Sequence, residues 1–349
     1  MTINIYFVMV LLLGCLFAFT NGFQDGSSVA ASPIASRSIG LWQGVFLTAI
    51  FEFLGALFGG SQVASAISGI TNYPRTEPFL CVLACALLAA VLWNFLTRLL
   101  KVPSSSTHAL VGGLIGAIFA STGSFEYIVW GSFNALIHPT GVCKVIATLF
   151  LSPLIGFVAG YFTLHLLQFL LARATNKVNN TLKSCQWFVL PVLAFGHGAN
   201  DTQKVMGVVV MAMSAAGLFG RQNPLTSSDS IPFWVRVAVG LFMALGVICM
   251  APGILKRVGF GIFKQRPVHG FVTEFASAVV VFVGSVTGGP VSASQVIAST
   301  VMGVGYANRR KGVHWLVARE MAWAWLLTIP CSATFAYLLF RSIFSLIKI

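Results

Sequence analysis

The chain has 349 residues, of which 57% are hydrophobic and only 8% charged, and its formal net charge is +13. Soluble domains carry roughly a quarter charged residues, so a soluble globular protein is excluded. The basic residues fall in short loops between apolar runs, as the positive-inside rule requires, rather than in a continuous basic face, which excludes nucleic acid as a partner.

Several apolar runs exceed the ~18 residues needed to cross a hydrocarbon core of about 30 Å as a helix, and no strand-length alternation of a membrane barrel is present. We therefore expect an all-α polytopic membrane protein. The run at 5–20 has no preceding Lys or Arg and no A-x-A-like site after it, so it reads as the first part of a retained helix rather than a signal peptide. Helices are expected at 5–36 with a break inside, 41–70, 79–100 and 142–171, with an amphipathic piece at 125–137 and a Ser/Thr/Gly-rich stretch at 103–122. A connector at 173–184 carries three basic residues and no acid, and divides the chain. Beyond it we expect helices at 187–217, again with a break, 233–254, 271–286 and 313–346, and a second small-residue stretch at 288–305. The seven cysteines lie mostly in apolar runs without metal-ligand grouping, and read as small buried hydrophobes.

Two polar segments interrupt this pattern, NGFQDGSS at 21–28 and HGANDTQK at 197–204. Each carries an aspartate, Asp25 or Asp201, and an ionisable group at bilayer depth costs at least ~2.5 kcal/mol, so both are candidates for function. Gly22 and Gly198 offer a way for the backbone to leave helical geometry there. The halves also match in order: Asn21–Asp25 precedes PSSSTHA at 103–109, and His197–Asp201 precedes PVSASQV at 290–296, with Gly116 and Gly303 at equivalent offsets from the prolines. Paired interrupted segments are the sequence sign of a transporter built from two repeats, here 1–172 and 185–349, joined by 173–184. We take the repeats as inverted, although the parity of crossings does not follow from sequence.

Proline followed by hydroxyl residues and an apolar run marks a helix start, where N–H groups converge and the dipole favours an anion. Ser104, Ser105, Ser106 and Thr107 in the first half, and Ser292 and Ser294 in the second, are thus candidate anion donors. Bland roles as interhelical hydrogen-bond partners stand beside this reading, and are favoured for His108 and His197. Among the eight acids, Glu77, Glu126 and Asp229 read as solvated and Glu320 as paired with nearby basic residues. Asp25, Glu52, Asp201 and Glu274 remain in apolar surroundings, where a carboxylate binds a cation or takes up a proton. Lys204, one turn beyond Asp201, has two readings: a partner that neutralises Asp201, or a group that approaches an anionic substrate. No G-x-S-x-G, H-E-x-x-H or Walker-type loop is present, so we expect neither an enzyme nor an ATP-driven pump.

At these residues the chain resembles the inorganic phosphate transporter (Pit) family, bacterial low-affinity members more than sodium-coupled animal ones. FGHGANDTQKVMG at 195–207 is similar to the family's second G-A-N-D motif, and NGFQDGSSVAAS at 21–32, more loosely, to its first. VPSSSTHALVGGLIGA at 102–117 and GGPVSASQVIASTVMGVG at 288–305 resemble its two serine/threonine-rich re-entrant hairpins. Where the first motif usually reads N-D-x-A-N this chain has Gln24-Asp25-Gly26-Ser27-Ser28, and where the second hairpin reads S-T-T-H it has Ser292-Ala293-Ser294-Gln295. The resemblance implies phosphate import coupled to H+ or Na+, a cytoplasmic connector, outward termini, and location in a bacterial inner membrane. It also implies a central site with Ser105, Ser106, Thr107, Asn200, Ser292 and Ser294 on the anion and Asn21, Asp25, Asp201 and Glu274 on the coupling cation or proton. No cofactor is expected apart from the coupling ion; a divalent metal carried with phosphate, and homo-oligomerisation, stay open. Sulfate is the nearest rival cargo, and a passive anion channel the rival mechanism.

Overall fold

The computed structural model describes residues 4–131, 140–218 and 231–347, apart from the side chains of 344–347. Asp229 and residues 132–137 of the expected amphipathic piece lie outside them.

The first run forms α1 (Ile5–Asn21), one π-helical turn (Gly22–Gly26), α2 (Ser27–Val29) and α3 (Ala31–Ala35). Next come α4 (Leu41–Phe58), α5 (Gln62–Ser68), α6 (Glu77–Leu99), α7 (Ser106–Thr122) and α8 (Gly141–Leu170). The second half has α9 (Val178–Ala215), α10 (Phe233–Cys249), α11 (Pro252–Lys256) running into a π-helical turn (Arg257–Gly261), α12 (Pro267–Val286), α13 (Ala293–Asn308) and α14 (Trp315–Ile347). Among the described residues six helices are long and apolar enough to cross a membrane, or seven if α10 and the α11 run through Gly261, bent by 65°, form one span. Among the described residues the only β pairing is an isolated bridge, Thr71 to Ile128.

Four expectations are corrected. Gly59-Gly60-Ser61 splits the helix expected at 41–70, with Gly60 at φ +86° in the left-handed region that favours glycine. Residues 125–131 are not helical, because Ile128 pairs with Thr71 and Thr71 Oγ1 donates to the Tyr127 carbonyl. The connector is largely helical: nothing from Val178 to Ser184 breaks a helix, so α9 begins there. Pro252 ends the run expected through 254, because its ring cannot continue α10 and instead starts α11.

Among the described residues, the two large apolar cores flank a polar waist. Phe7, Val10 and Phe17 of α1, Val205–Met213 of α9 and most of α7 pack in one core. Phe23 and Val29, Leu190–Ala194 of α9, and Ala293–Met302 of α13 pack in the other. The run from α1 through α2, and α9, therefore each pass from one core to the other, and the stretch each presents between them is its polar one, 20–28 or 197–204. Helices α7 and α13 belong to opposite cores, with their N-termini directed toward the waist. Each packs on the long final helix of the other half, α7 on α14 and α13 on α8. Gly116 and Gly303 make this possible: a Cβ at either would stand 2.0 Å from a carbonyl oxygen, of Ala333 or Phe157.

Candidate functional site

The two polar segments meet, but not as broken helices. α9 runs unbroken through 197–204, contrary to expectation, and 22–26 widens into a π turn without interrupting the helical path. Gly198 and Gly22 serve close approach instead. A Cβ on Gly198 would lie 2.2 Å from the Glu52 carbonyl oxygen of α4, and one on Gly22 2.1 Å from that of Met243 of α10. The helix satisfies its own backbone in apolar surroundings, so the polar side chains can be spent on each other. A π turn shifts the side chains after it by a fraction of a turn, a device frequent at functional sites, and here it precedes Ser27 and Ser28 and contains Asp25.

The backbone does open at two neighbouring points, and polar side chains close both. Gln203 accepts from Val63 N–H at 2.9 Å and donates to the Gly59 carbonyl at 2.7 Å, bridging the α4–α5 break. Ser27 Oγ accepts from the Ala251 N–H at 2.6 Å, at the α10–α11 bend, and donates to the Phe23 carbonyl at 2.7 Å.

At the centre, Asp25, His197 and Asp201 are buried, with a carboxylate oxygen or ring nitrogen of each within 4.8 Å of the others. Asp201 is fully engaged: Oδ1 accepts from Lys204 Nζ at 2.5 Å, and Oδ2 accepts from Asn21 Nδ2 at 3.0 Å and lies 3.3 Å from His197 Nε2. His197 Nδ1 lies 2.7 Å from Glu52 Oε1, so the imidazole spans two carboxylates. Lys204 Nζ also donates to the Val291 carbonyl at 3.0 Å, and Asn200 Nδ2 to that of Gly289 at 3.1 Å, tying α9 to the segment that leads into α13. Asp25 is sparsely held: Oδ2 accepts from Ser106 Oγ at 3.0 Å, and Oδ1 is buried with no partner among the described residues.

The hydroxyl clusters converge as well. Ser294 Oγ donates to the Ser104 carbonyl at 2.7 Å, and Ser292 Oγ is 3.3 Å from Ser294 Oγ, so the starts of α7 and α13 are joined. Ser105 caps α7, its Oγ accepting from His108 N–H at 3.3 Å, and Thr107 Oγ1 is buried without a partner among the described residues. The Gln24 amide lies 2.7 Å from Ser104 Oγ in either amide orientation, and Ser104 Oγ lies 3.0 Å from Thr97 Oγ1.

Of the residues selected from sequence, Asn21, Asp25, Ser106, Asp201, Asn200, Ser292 and Ser294 belong to one connected region with Ser105 and Thr107. Glu274, on α12, is fully buried with both oxygens unpartnered among the described residues, and no hydrogen bond ties it to this region. Glu320 pairs with Arg257, distant in sequence, rather than with its neighbour Arg319. Sequence reading gave Glu52 no partner and Gln203 no role; the signal for the first was an acid in an apolar run opposite a motif histidine.

With two anion-favouring helix starts beside a group of buried carboxylates, the arrangement suits an anion and a cation held close together. The sequence profile of the Phosphate transporter family matches residues 21–192 and 172–336. A Bacillus subtilis protein named a probable low-affinity inorganic phosphate transporter is 34% identical over 342 residues, covering 97% of this chain and 98% of that one. One of the same name from Rhizobium meliloti is 33% identical over 328 residues, 93% of each chain. A solved structure titled the sodium-dependent phosphate transporter shares the fold, with a TM-score of 0.80 at 23% identity over 97% of this chain and 99% of that one. The chain is an integral membrane protein, not an enzyme, and belongs to the phosphate transporter family.

Proposed function

We propose that the chain is a secondary active transporter that imports inorganic phosphate across the bacterial cytoplasmic membrane, coupled to H+ or Na+. The observation that carries this reading is the Ser106–Asp25 hydrogen bond of 3.0 Å, which joins a start-of-helix hydroxyl to a buried carboxylate with a free oxygen. A change in charge at Asp25 is thereby felt by a group aimed at the anion.

Charge supports coupling. Three buried carboxylates, Asp25, Glu52 and Asp201, face one ammonium, Lys204, and one imidazole, His197. Adding an anion beside this group raises its Coulomb energy unless a cation or proton arrives with it, and the low dielectric of a buried site magnifies the difference. Ser105, Ser106, Thr107, Asn200, Ser292 and Ser294 bind the anion through hydroxyls, amide and the backbone N–H groups of α7 and α13. Asp25, Asp201 and Asn21 surround the place of the coupling cation or proton, and Glu274 is a further protonatable position on α12. The halves 1–172 and 185–349 each supply one aspartate and one helix start. Phosphate is favoured as cargo because it can donate a proton to a carboxylate, which fully ionised sulfate cannot.

Labelled phosphate uptake into proteoliposomes, with pH and Na+ gradients imposed independently, tests the proposal. Accumulation against the phosphate gradient under one of these gradients, lost in Asp25→Asn, is the expected result. Undiminished uptake in both Asp25→Asn and Asp201→Asn, or uptake that never exceeds equilibration, overturns it.

A further inference from the structure

We propose that the Lys204 ammonium is a built-in cation that fills the cation position on the Asp201 side of the site, leaving the Asp25 side of this pair open to a travelling one. The inference deepens the coupling reading above and rests on it.

The two oxygens on Nζ are of the kinds that bind a small cation: the Asp201 carboxylate at 2.5 Å and the main-chain Val291 carbonyl at 3.0 Å. Carboxylates and carbonyls of non-helical backbone are what hard cations recruit, and Val291 lies in the non-helical segment before α13. Lys204 is fully buried, so the ammonium has exchanged its hydration for these oxygens. Its attachment three residues after Asp201 on an unbroken helix fixes it there.

The other half shows the same position without the lysine. Three residues after Asp25 stands Ser28, whose Oγ is buried without a partner among the described residues, as are Asp25 Oδ1 and Asn21 Oδ1. A carboxylate, a hydroxyl and an amide oxygen are thus unpartnered within two turns of Asp25. On the Asp201 side both carboxylate oxygens are used, one by the ammonium. Lys204 also sits next to the anion donors, since Val291 directly precedes Ser292. It therefore contributes positive charge to anion binding on every cycle without itself crossing, which lowers by one the number of cations that must travel.

Lys204→Ser reproduces the Asp25-type position and should add a Na+ response at Asp201 beyond any that the unsubstituted protein shows. Thermal unfolding of the purified full chain in NaCl against N-methylglucamine chloride, without phosphate, reads this directly. The variant's Tm should rise with NaCl by mass action, while Lys204→Arg and the double variant Lys204→Ser/Asp201→Asn should not gain that rise. In proteoliposomes Na+ should raise Lys204→Ser uptake at least about fivefold beyond any effect on the unsubstituted protein, the lower end of ordinary coupling energies. A Lys204→Ser protein with no gained Na+ stabilisation overturns the proposal, and so does a gain that survives Asp201→Asn. If the variant folds only with Na+ the proposal is upheld; failure to fold in both salts overturns it. Because the unfolding assay contains no phosphate, it stands or falls independently of the cargo.

Discussion

Asp25 and Asp201 occupy matching places in the two halves and are held in opposite ways. Asp201 lies on a continuous helix, with each carboxylate oxygen bonded, to Lys204 and to Asn21. Asp25 lies in a π turn and has one partner, Ser106, and one orphan oxygen. A buried carboxylate with its own ammonium is a fixed electrostatic element, whereas one with an unpartnered oxygen is poised to take a cation or proton. Two similar motifs can thus divide their labour: under the coupling proposed above, one anchors the site and the other works it.

The sharpest way to break this contrast is to neutralise each aspartate in turn. Asp201→Asn strands the Lys204 ammonium and should destabilise the protein by about 3–5 kcal/mol, the usual cost of breaking a buried pair, whereas Asp25→Asn should abolish coupled uptake with little loss of stability. Denaturation in detergent alongside uptake assays separates the two; equal stability losses would erase the distinction. Next in size is Gly198→Ala, which drives a Cβ to 2.2 Å from the Glu52 carbonyl and presses on the helix that carries the His197 partner. Overpacking against backbone should cost about 3 kcal/mol, measured as lowered thermal stability.

Smaller effects test the two helix starts. Ser106→Ala removes a hydrogen bond to a carboxylate and should weaken apparent phosphate affinity by about 2 kcal/mol, while Ser294→Ala, whose hydroxyl donates to a carbonyl, should cost about 1 kcal/mol. KM measurements under a fixed driving gradient check the order. The smallest contrast is in capping: Ser105→Ala should lose about 1 kcal/mol of stability, and Ser292→Ala less, because the Ser105 side chain caps α7 and that of Ser292 does not cap α13.

Much of this was legible in the sequence. Composition and run length determined an all-α membrane protein, because the cost of exposing backbone to lipid leaves few alternatives. The Pro-hydroxyl patterns located both helix starts, because proline and serine act through local geometry within one turn. The aspartates stood out because any charge in an apolar run is conspicuous.

The partners of those groups were not legible, because they depend on which helix faces which. Glycine before a polar run reads as a break from sequence, but only the packed structure shows Gly198 against the Glu52 carbonyl, where absence of a side chain matters more than freedom of the backbone. Glu52 and Glu274 look alike in sequence, each an acid in an apolar run, yet tertiary packing places Glu52 on His197 and gives Glu274 no partner among the described residues. What the sequence determined by itself was the class of protein, the place of its polar waist and the chemistry available there, all set by short-range rules. What only the tertiary structure decided was the division between a lysine-filled aspartate and an open one, since hydrogen bonds and ion pairs across helices are fixed by three-dimensional approach rather than by spacing along the chain.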